Sequence, residues 1–194
     1  MIVLIGPKHS GKTSVGSELA RLLALPFFDL DALIEERTGQ SVRSLYSAGP
    51  ELFRQAEEAA LEALLSLPEG GTSQSEGDTG VSVKGGILAT GGGIIDNPGA
   101  LALLQEGNIH GGSGPTIVYL DVSAQTAWRR ITSAGELPPF LRAETMEASM
   151  EKHRVLHQRR SDACREIARF CVSVGEKQPG ELAGEICGMI GCET

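Results

Sequence analysis

Gly6-Pro7-Lys8-His9-Ser10-Gly11-Lys12-Thr13 is the stretch that decides the fold. It fits the pattern GxxxxGK[ST]. Before it stands an apolar run, Ile2 to Ile5; after it, Thr13 to Leu25 places Val15, Leu19, Ala20, Leu22 and Leu23 at helical spacing. Strand, glycine-rich turn and helix are the context in which this pattern cradles phosphate. Glycines let backbone N–H groups turn inward, and the helix N-terminus adds partial positive charge. Gly6, Ser10 and Gly11 therefore line a phosphate cradle. Lys12 is expected to reach the β- and γ-phosphates, and Thr13 to offer its hydroxyl to Mg²⁺. His9 reads as a spacer.

Outward from this loop, strand and helix patterns alternate. Phe27 to Asp31 reads as a second short strand, Ala32 to Thr38 as a helix with Gly39 just past its end, and Ser41 to Ser47 as a short helix. Glu51 to Leu67 is strongly amphipathic. Ile87 to Thr90 is the next strand, and Pro98 to Leu104 a short helix. Gly107 to Pro115 is a glycine-rich loop, Thr116 to Val122 a strand, Ala124 to Thr132 a helix. Met146 to Phe170 reads as a long charged helix, Cys171 to Val174 as a last strand, and Pro179 to Ile190 as a closing helix. Short apolar strands separated by helices require a parallel sheet covered on both faces. The fold class is α/β, three layers around a short central parallel sheet. One stretch breaks the pattern: Glu69 to Gly80 is polar, Gly-rich and aperiodic, and is expected to be a flexible insert.

The 194 residues suit one domain spanning 1–194. Apolar residues are 41% and charged residues 22%, which excludes a disordered or fibrous chain. The net charge is −8, with no basic stripe, so nucleic acid is not an expected partner. No apolar run reaches membrane-spanning length. The N-terminus shows no basic leader and reads as a strand starting at once. Four cysteines, Cys164, Cys171, Cys187 and Cys192, lack CxxC spacing and read as reduced thiols of a cytoplasmic protein.

Three further motifs are candidates for chemistry, the first of them at the strand edge where α/β folds bind ligands. Asp29-Leu30-Asp31 ends the second strand; alternation would put both carboxylates on one face, and a helix cap is the other reading. Phe53-Arg54-Gln55-Ala56-Glu57 puts Arg54 and Glu57 at i,i+3, able to pair, or to be a plain surface ion pair. Thr90-Gly91-Gly92-Gly93 follows a strand and would let backbone approach a ligand closely, or be a plain loop. His153 and His157, at i,i+4, read as a solvated helix face. Trp128 reads as core or as packing beside a base.

In this order and context, the P-loop, the FDLD stretch, the ELFRQAE stretch and ATGGG resemble shikimate kinases, members of the nucleoside-monophosphate-kinase-like group of P-loop folds. The resemblance runs over nearly the whole chain outside the insert. It implies ATP and Mg²⁺ as cofactors, with Lys12 and Thr13 holding them and Asp29 in the outer shell of the metal. It implies that Asp31 holds the acceptor's hydroxyls and orients or deprotonates the attacking one. Arg54 would bind the substrate carboxylate with Glu57 holding it, and Gly91, Gly92 and Gly93 would touch substrate through backbone. Arg130 falls where the family stacks an arginine on adenine, Arg160 where it places the second substrate arginine, and Lys177 on the adenine-side loop. The implied partner is one small molecule, shikimate; the implied state is a monomer.

The family lid reads Arg-Pro-Leu-Leu. Here Pro138-Pro139-Phe140-Leu141 stands in its place, within a lid region of about 135–158, so Pro138 replaces the lid arginine. Arg142, four residues on, is the candidate to take that role. After Arg160 the family has Pro and Tyr where Asp162 and Cys164 stand here. The expected activity is ATP-dependent phosphorylation of the 3-hydroxyl of shikimate, in chorismate and aromatic amino-acid biosynthesis. A gluconate-type kinase and a catalytically weak nucleotide-binding homologue are the alternatives.

Overall fold

The computed structural model describes residues 1–66, 85–109, 114–135 and 137–191. Its sheet contains five parallel strands in the order β2-β3-β1-β4-β5: β1 (Ile2–Ile5), β2 (Phe27–Asp29), β3 (Ile87–Ala89), β4 (Thr116–Asp121) and β5 (Phe170–Ser173). Val3 stands opposite Leu88 on one side and Ile117 on the other. β1 is thus central and covered on both faces, which is why its sequence is apolar without alternation.

Alternation still sorts its side chains. Ile2 and Leu4 pack with Val118 and Leu120 against α1 (Lys12–Leu23), α6 (Ala124–Ser133) and α8 (Pro179–Met189). Val3 and Ile5 pack with Leu88, Ile117 and Tyr119 on the other face. There they meet α2 (Leu30–Thr38), α3 (Val42–Ala48), α4 (Pro50–Leu65), α5 (Pro98–Ile109) and α7 (Met146–Ile167). The result is the expected three-layer α/β/α arrangement. Because β3 and β4 flank β1, the loops after β1 and β3 meet at the C-terminal edge of the sheet, where the chain changes direction and ligands bind.

Three readings need correction. The second strand ends at Asp29, not Asp31. The Asp29 side chain accepts from the backbone N–H groups of Asp31 and Ala32 and caps α2, so Asp31 lies in the first helical turn. The capping preference of Asp overrides strand continuation there. His153 and His157 are not on a solvated face: each is only 6% exposed. The buried stripe of α7 is Ser149, His153, His157, Ser161 and Cys164, a polar stripe at helical spacing. It is accepted into the interior because its polar atoms have partners. His157 Nε2 lies 2.9 Å from Val122 O, Ser161 Oγ accepts from Tyr119 Oη at 2.9 Å, and the Trp128 ring packs tilted against His153 with centroids 5.3 Å apart. The helix α5 also runs past the expected stop at Leu104. The insert expected over 69–80 lies outside the described residues.

Candidate active site

The cradle after β1 uses backbone that only glycine adopts without strain. Gly6 has φ +152° and Gly11 φ +95°. A Cβ at Gly6 would stand 2.9 Å from Leu120 O and 3.0 Å from Ser10 Oγ. Gly11 is the N-cap of α1, so the first amides of that helix open toward the loop. Lys12 is buried within the loop. Its Nζ donates to the carbonyls of Gly6 and Pro7 at 3.0 and 2.9 Å and to Ser10 Oγ at 3.4 Å. Burial lowers its pKa to about 8, opposed by the charge of Asp31. Anionic phosphate beside Nζ would favour the charged ammonium.

Thr13 Oγ1 donates to Asp29 Oδ2 at 2.9 Å, while Asp29 Oδ1 caps α2. A hydroxyl and a carboxylate oxygen thus lie together at the mouth of the cradle. Such hard oxygen donors fit Mg²⁺, which keeps most of its shell as water and substrate phosphate. Among the described residues no group of three or more His, Cys, Asp or Glu gathers into a metal cage. Thr13 and Asp29 are the residues that would hold the ion, Asp29 from its outer shell.

Asp31 and Glu57 converge on Gly91. A Cβ there would lie 3.2 Å from Asp31 Oδ1 and 3.1 Å from Glu57 Oε1. Both oxygens are buried without a hydrogen-bond partner. Two orphan acceptors around a bare backbone mark a place for ligand hydroxyls. Burial raises the pKa of Asp31, with the charge of Asp29 adding and that of Lys12 opposing. Burial pushes Glu57 up to about 7, its bond from Asn97 pulling down and the charge of Asp31 adding. Gly92 brings this pocket onto the cradle: a Cβ there would sit 2.8 Å from Lys8 N.

The arginines depart from expectation in detail. Arg54 pairs with Glu51 at 3.1 Å and not with Glu57. Glu57 points inward and is only 1% exposed, whereas the Arg54 side chain, 42% exposed, follows the helix surface to the carboxylate one turn back. What holds Glu57 is Asn97, whose Nδ2 donates to Glu57 Oε2 at 3.0 Å and to Arg54 O at 2.8 Å. Arg160, on α7, reaches the glycine turn: Nη1 donates to Gly92 O at 3.4 Å, and Nη2 would lie 3.4 Å from a Cβ on Gly93. Asp96 holds it from the side, Oδ2 accepting from Nε at 2.8 Å and Nη2 at 2.6 Å. Sequence reasoning missed both Asp96 and Asn97. The Asn97-Pro98 step was a usable signal for the latter, since Asn97 Oδ1 accepts from Ala100 N as a helix cap does.

On the other side of the cradle, Arg130 Nη1 donates to His9 O at 3.0 Å. Arg129, Arg130, His9, Gly11, Ser133 and Ala134 line a cleft of about 570 Å³. Lys177 is not among them. It precedes the N-cap of α8 and lies along that helix, paired with Glu185. The stretch expected to form a lid contains a 3-10 turn, Pro139–Leu141. Leu141 is buried, and Phe140 stands 6.5 Å from Tyr46 and 5.9 Å from the Arg160 guanidinium. Arg142 is exposed and donates through Nε to Leu137 O at 3.1 Å, bracing its own segment.

A family model described as shikimate kinase matches residues 8–72 and 79–190. A shikimate kinase of Mycobacterium tuberculosis is 31% identical over 185 residues, covering 95% of this chain and 89% of that protein. One of Mycobacterium avium is 34% identical over 181 residues, covering 93% and 87%. Among solved structures, shikimate kinase from Acinetobacter baumannii in complex with shikimate superposes with a TM-score of 0.76. The identity is 28%, over 97% of this chain and 91% of that one.

Proposed function

The chain belongs to the shikimate kinase family, and from that premise we propose that it transfers the γ-phosphoryl group of ATP to the 3-hydroxyl of shikimate. One observation carries the reading beyond family membership. The phosphate cradle and the orphan carboxylates meet at the Gly92–Lys8 approach, so an acceptor hydroxyl held at Asp31 faces phosphate held at Lys12.

Phosphoryl transfer asks for positioning and charge neutralisation more than for covalent chemistry. Gly6, Ser10 and Gly11 shape the cradle; Lys12 is the point charge at the β- and γ-phosphates. Thr13 and Asp29 would hold Mg²⁺, which supplies charge neutralisation at those phosphates. Asp31 Oδ1 accepts the proton of the attacking hydroxyl, aided by the basicity that burial confers. The bond from the acceptor oxygen to phosphorus forms as the bridge between the β- and γ-phosphates breaks, and ADP leaves. Arg54 would turn from Glu51 to join Arg160 on the acceptor carboxylate, a planar fork suited to that group. Glu57 holds ring hydroxyls beside Asp31, and Gly91, Gly92 and Gly93 admit the ring against backbone.

Arg130 lies on the adenine side. Lys177 would reach the same base by releasing Glu185. Arg142 would take the lid role that Pro138 leaves open, by releasing Leu137 O. We further read 1–194 as one domain with a lid over about 135–158, acting as a cytoplasmic monomer. Among the described residues no helix is long and apolar enough to cross a membrane. A gluconate-type kinase would share the fold, but the family match favours shikimate.

Phosphorus NMR of the product tests the reading. ATP, Mg²⁺ and shikimate should yield a monoester at the 3-hydroxyl. Phosphorylation of gluconate in preference to shikimate would move the chain to the sugar-acid alternative.

A further inference from the structure

We infer that Asp96 is the positioning residue that aims Arg160 at the acceptor carboxylate, and this rests on the acceptor site proposed above. Asp96 is the last residue of the 3-10 turn Ile94–Asp96, which follows directly from the three glycines. From there its carboxylate gathers two arginines of α7. Oδ2 accepts from Arg160 Nε and Nη2 at 2.8 and 2.6 Å, and Oδ1 from Arg159 Nη2 at 2.7 Å. Charge-assisted bonds of this length are among the strong ones, and the pair is mostly shielded, with side chains 22% and 25% exposed.

The geometry of the guanidinium decides what this does. Arg carries donors in a rigid planar fork, with a side edge at Nε and one terminal nitrogen and an end edge at the two terminal nitrogens. Asp96 occupies the side edge. The end edge is thereby turned to the glycine turn, with Nη1 toward Gly92 O and Nη2 next to Gly93. The 3.4 Å bond to Gly92 O is long for N–H···O and easily exchanged for a carboxylate. Asp96 therefore does not compete with the acceptor; it presents the fork that the acceptor meets. Without it, the long side chain would sample other rotamers, and the guanidinium would leave its place 5.9 Å above the Phe140 ring.

Steady-state kinetics on Asp96→Ala and Asp96→Asn test this, with calorimetry of a non-hydrolysable ATP analogue on the same proteins. Asp96→Ala should raise the KM for shikimate by roughly tenfold or more while nucleotide affinity stays within about twofold. Asp96→Asn, which keeps an acceptor oxygen in place, should fall between parent and Ala, and it carries the test if the Ala variant fails to fold. An unchanged or lowered KM for shikimate overturns the inference, as does a parallel loss of nucleotide affinity. A parent chain that does not phosphorylate shikimate would instead overturn the function proposed above.

Discussion

The proposed nucleotide and acceptor ends of the site are built in opposite ways. The phosphate cradle of the nucleotide end is one stretch of eight residues, Gly6 to Thr13, whose shape comes from two left-handed glycines and a helix start. The acceptor end is gathered from four places. Asp31 comes from α2, Arg54 and Glu57 from α4, the three glycines from the turn after β3, and Arg160 from α7. It is held by bonds between residues 40 to 64 positions apart, Asn97 to Glu57 and Asp96 to Arg160. A local motif can be rigid by itself, whereas a gathered site is only as well aimed as the side chains that tie its pieces together.

Removing the central charge of the local motif should have the largest effect. Lys12→Ala is expected to lower turnover by about a thousandfold or more while leaving the fold intact. Turnover near that of the parent would show that the cradle is not where the phosphates sit. At the gathered end the loss should be smaller and should fall on the acceptor alone. Arg54→Ala is expected to raise the KM for shikimate by about ten- to a hundredfold, with analogue binding by calorimetry unchanged. A large loss of nucleotide affinity in that variant would erase the division between the two ends.

The same division explains what could be read from the sequence. The P-loop, the five strands and the parallel order of layers were legible because each rests on residues adjacent in the chain. Asp31 lies on a helix and not on the strand the alternation suggests, because the capping oxygen of Asp29 ends the strand two residues early. Glu57 was assigned to Arg54 on helical spacing, yet the tie that exists runs to Asn97, which no spacing rule reaches. His153 and His157 were read as surface because polar residues at i,i+4 usually are. Here Val122 O, Ser161 and Trp128 meet them in the interior. Long-range partners decide such cases, and one sequence does not display them.

The proposed lid sharpens the comparison further, since a lid there would serve both ends. Arg142→Ala is expected to lower turnover by about tenfold without changing either substrate's affinity much. Equal turnover in variant and parent would show that Arg142 does not take the lid role.

A smaller effect should appear in stability. Glu57 is pushed up to about 7 by burial, well above its ordinary value of 4.5. Between those two values the folded chain holds a proton there that the unfolded chain has released. Its contribution to stability therefore falls as pH rises from about 4.5 to 7. Glu57→Gln removes that dependence. The melting temperature of the variant should gain on the parent across this window, by roughly 2–4 °C for each kcal/mol recovered. Parallel curves would show that Glu57 does not hold the proton.

The account stands or falls on ADP release by the purified chain given ATP and Mg²⁺, with shikimate added or withheld. It predicts release that depends on shikimate and saturates with it, over a low background without acceptor. A chain that binds an ATP analogue yet releases ADP no faster with shikimate than without would contradict it.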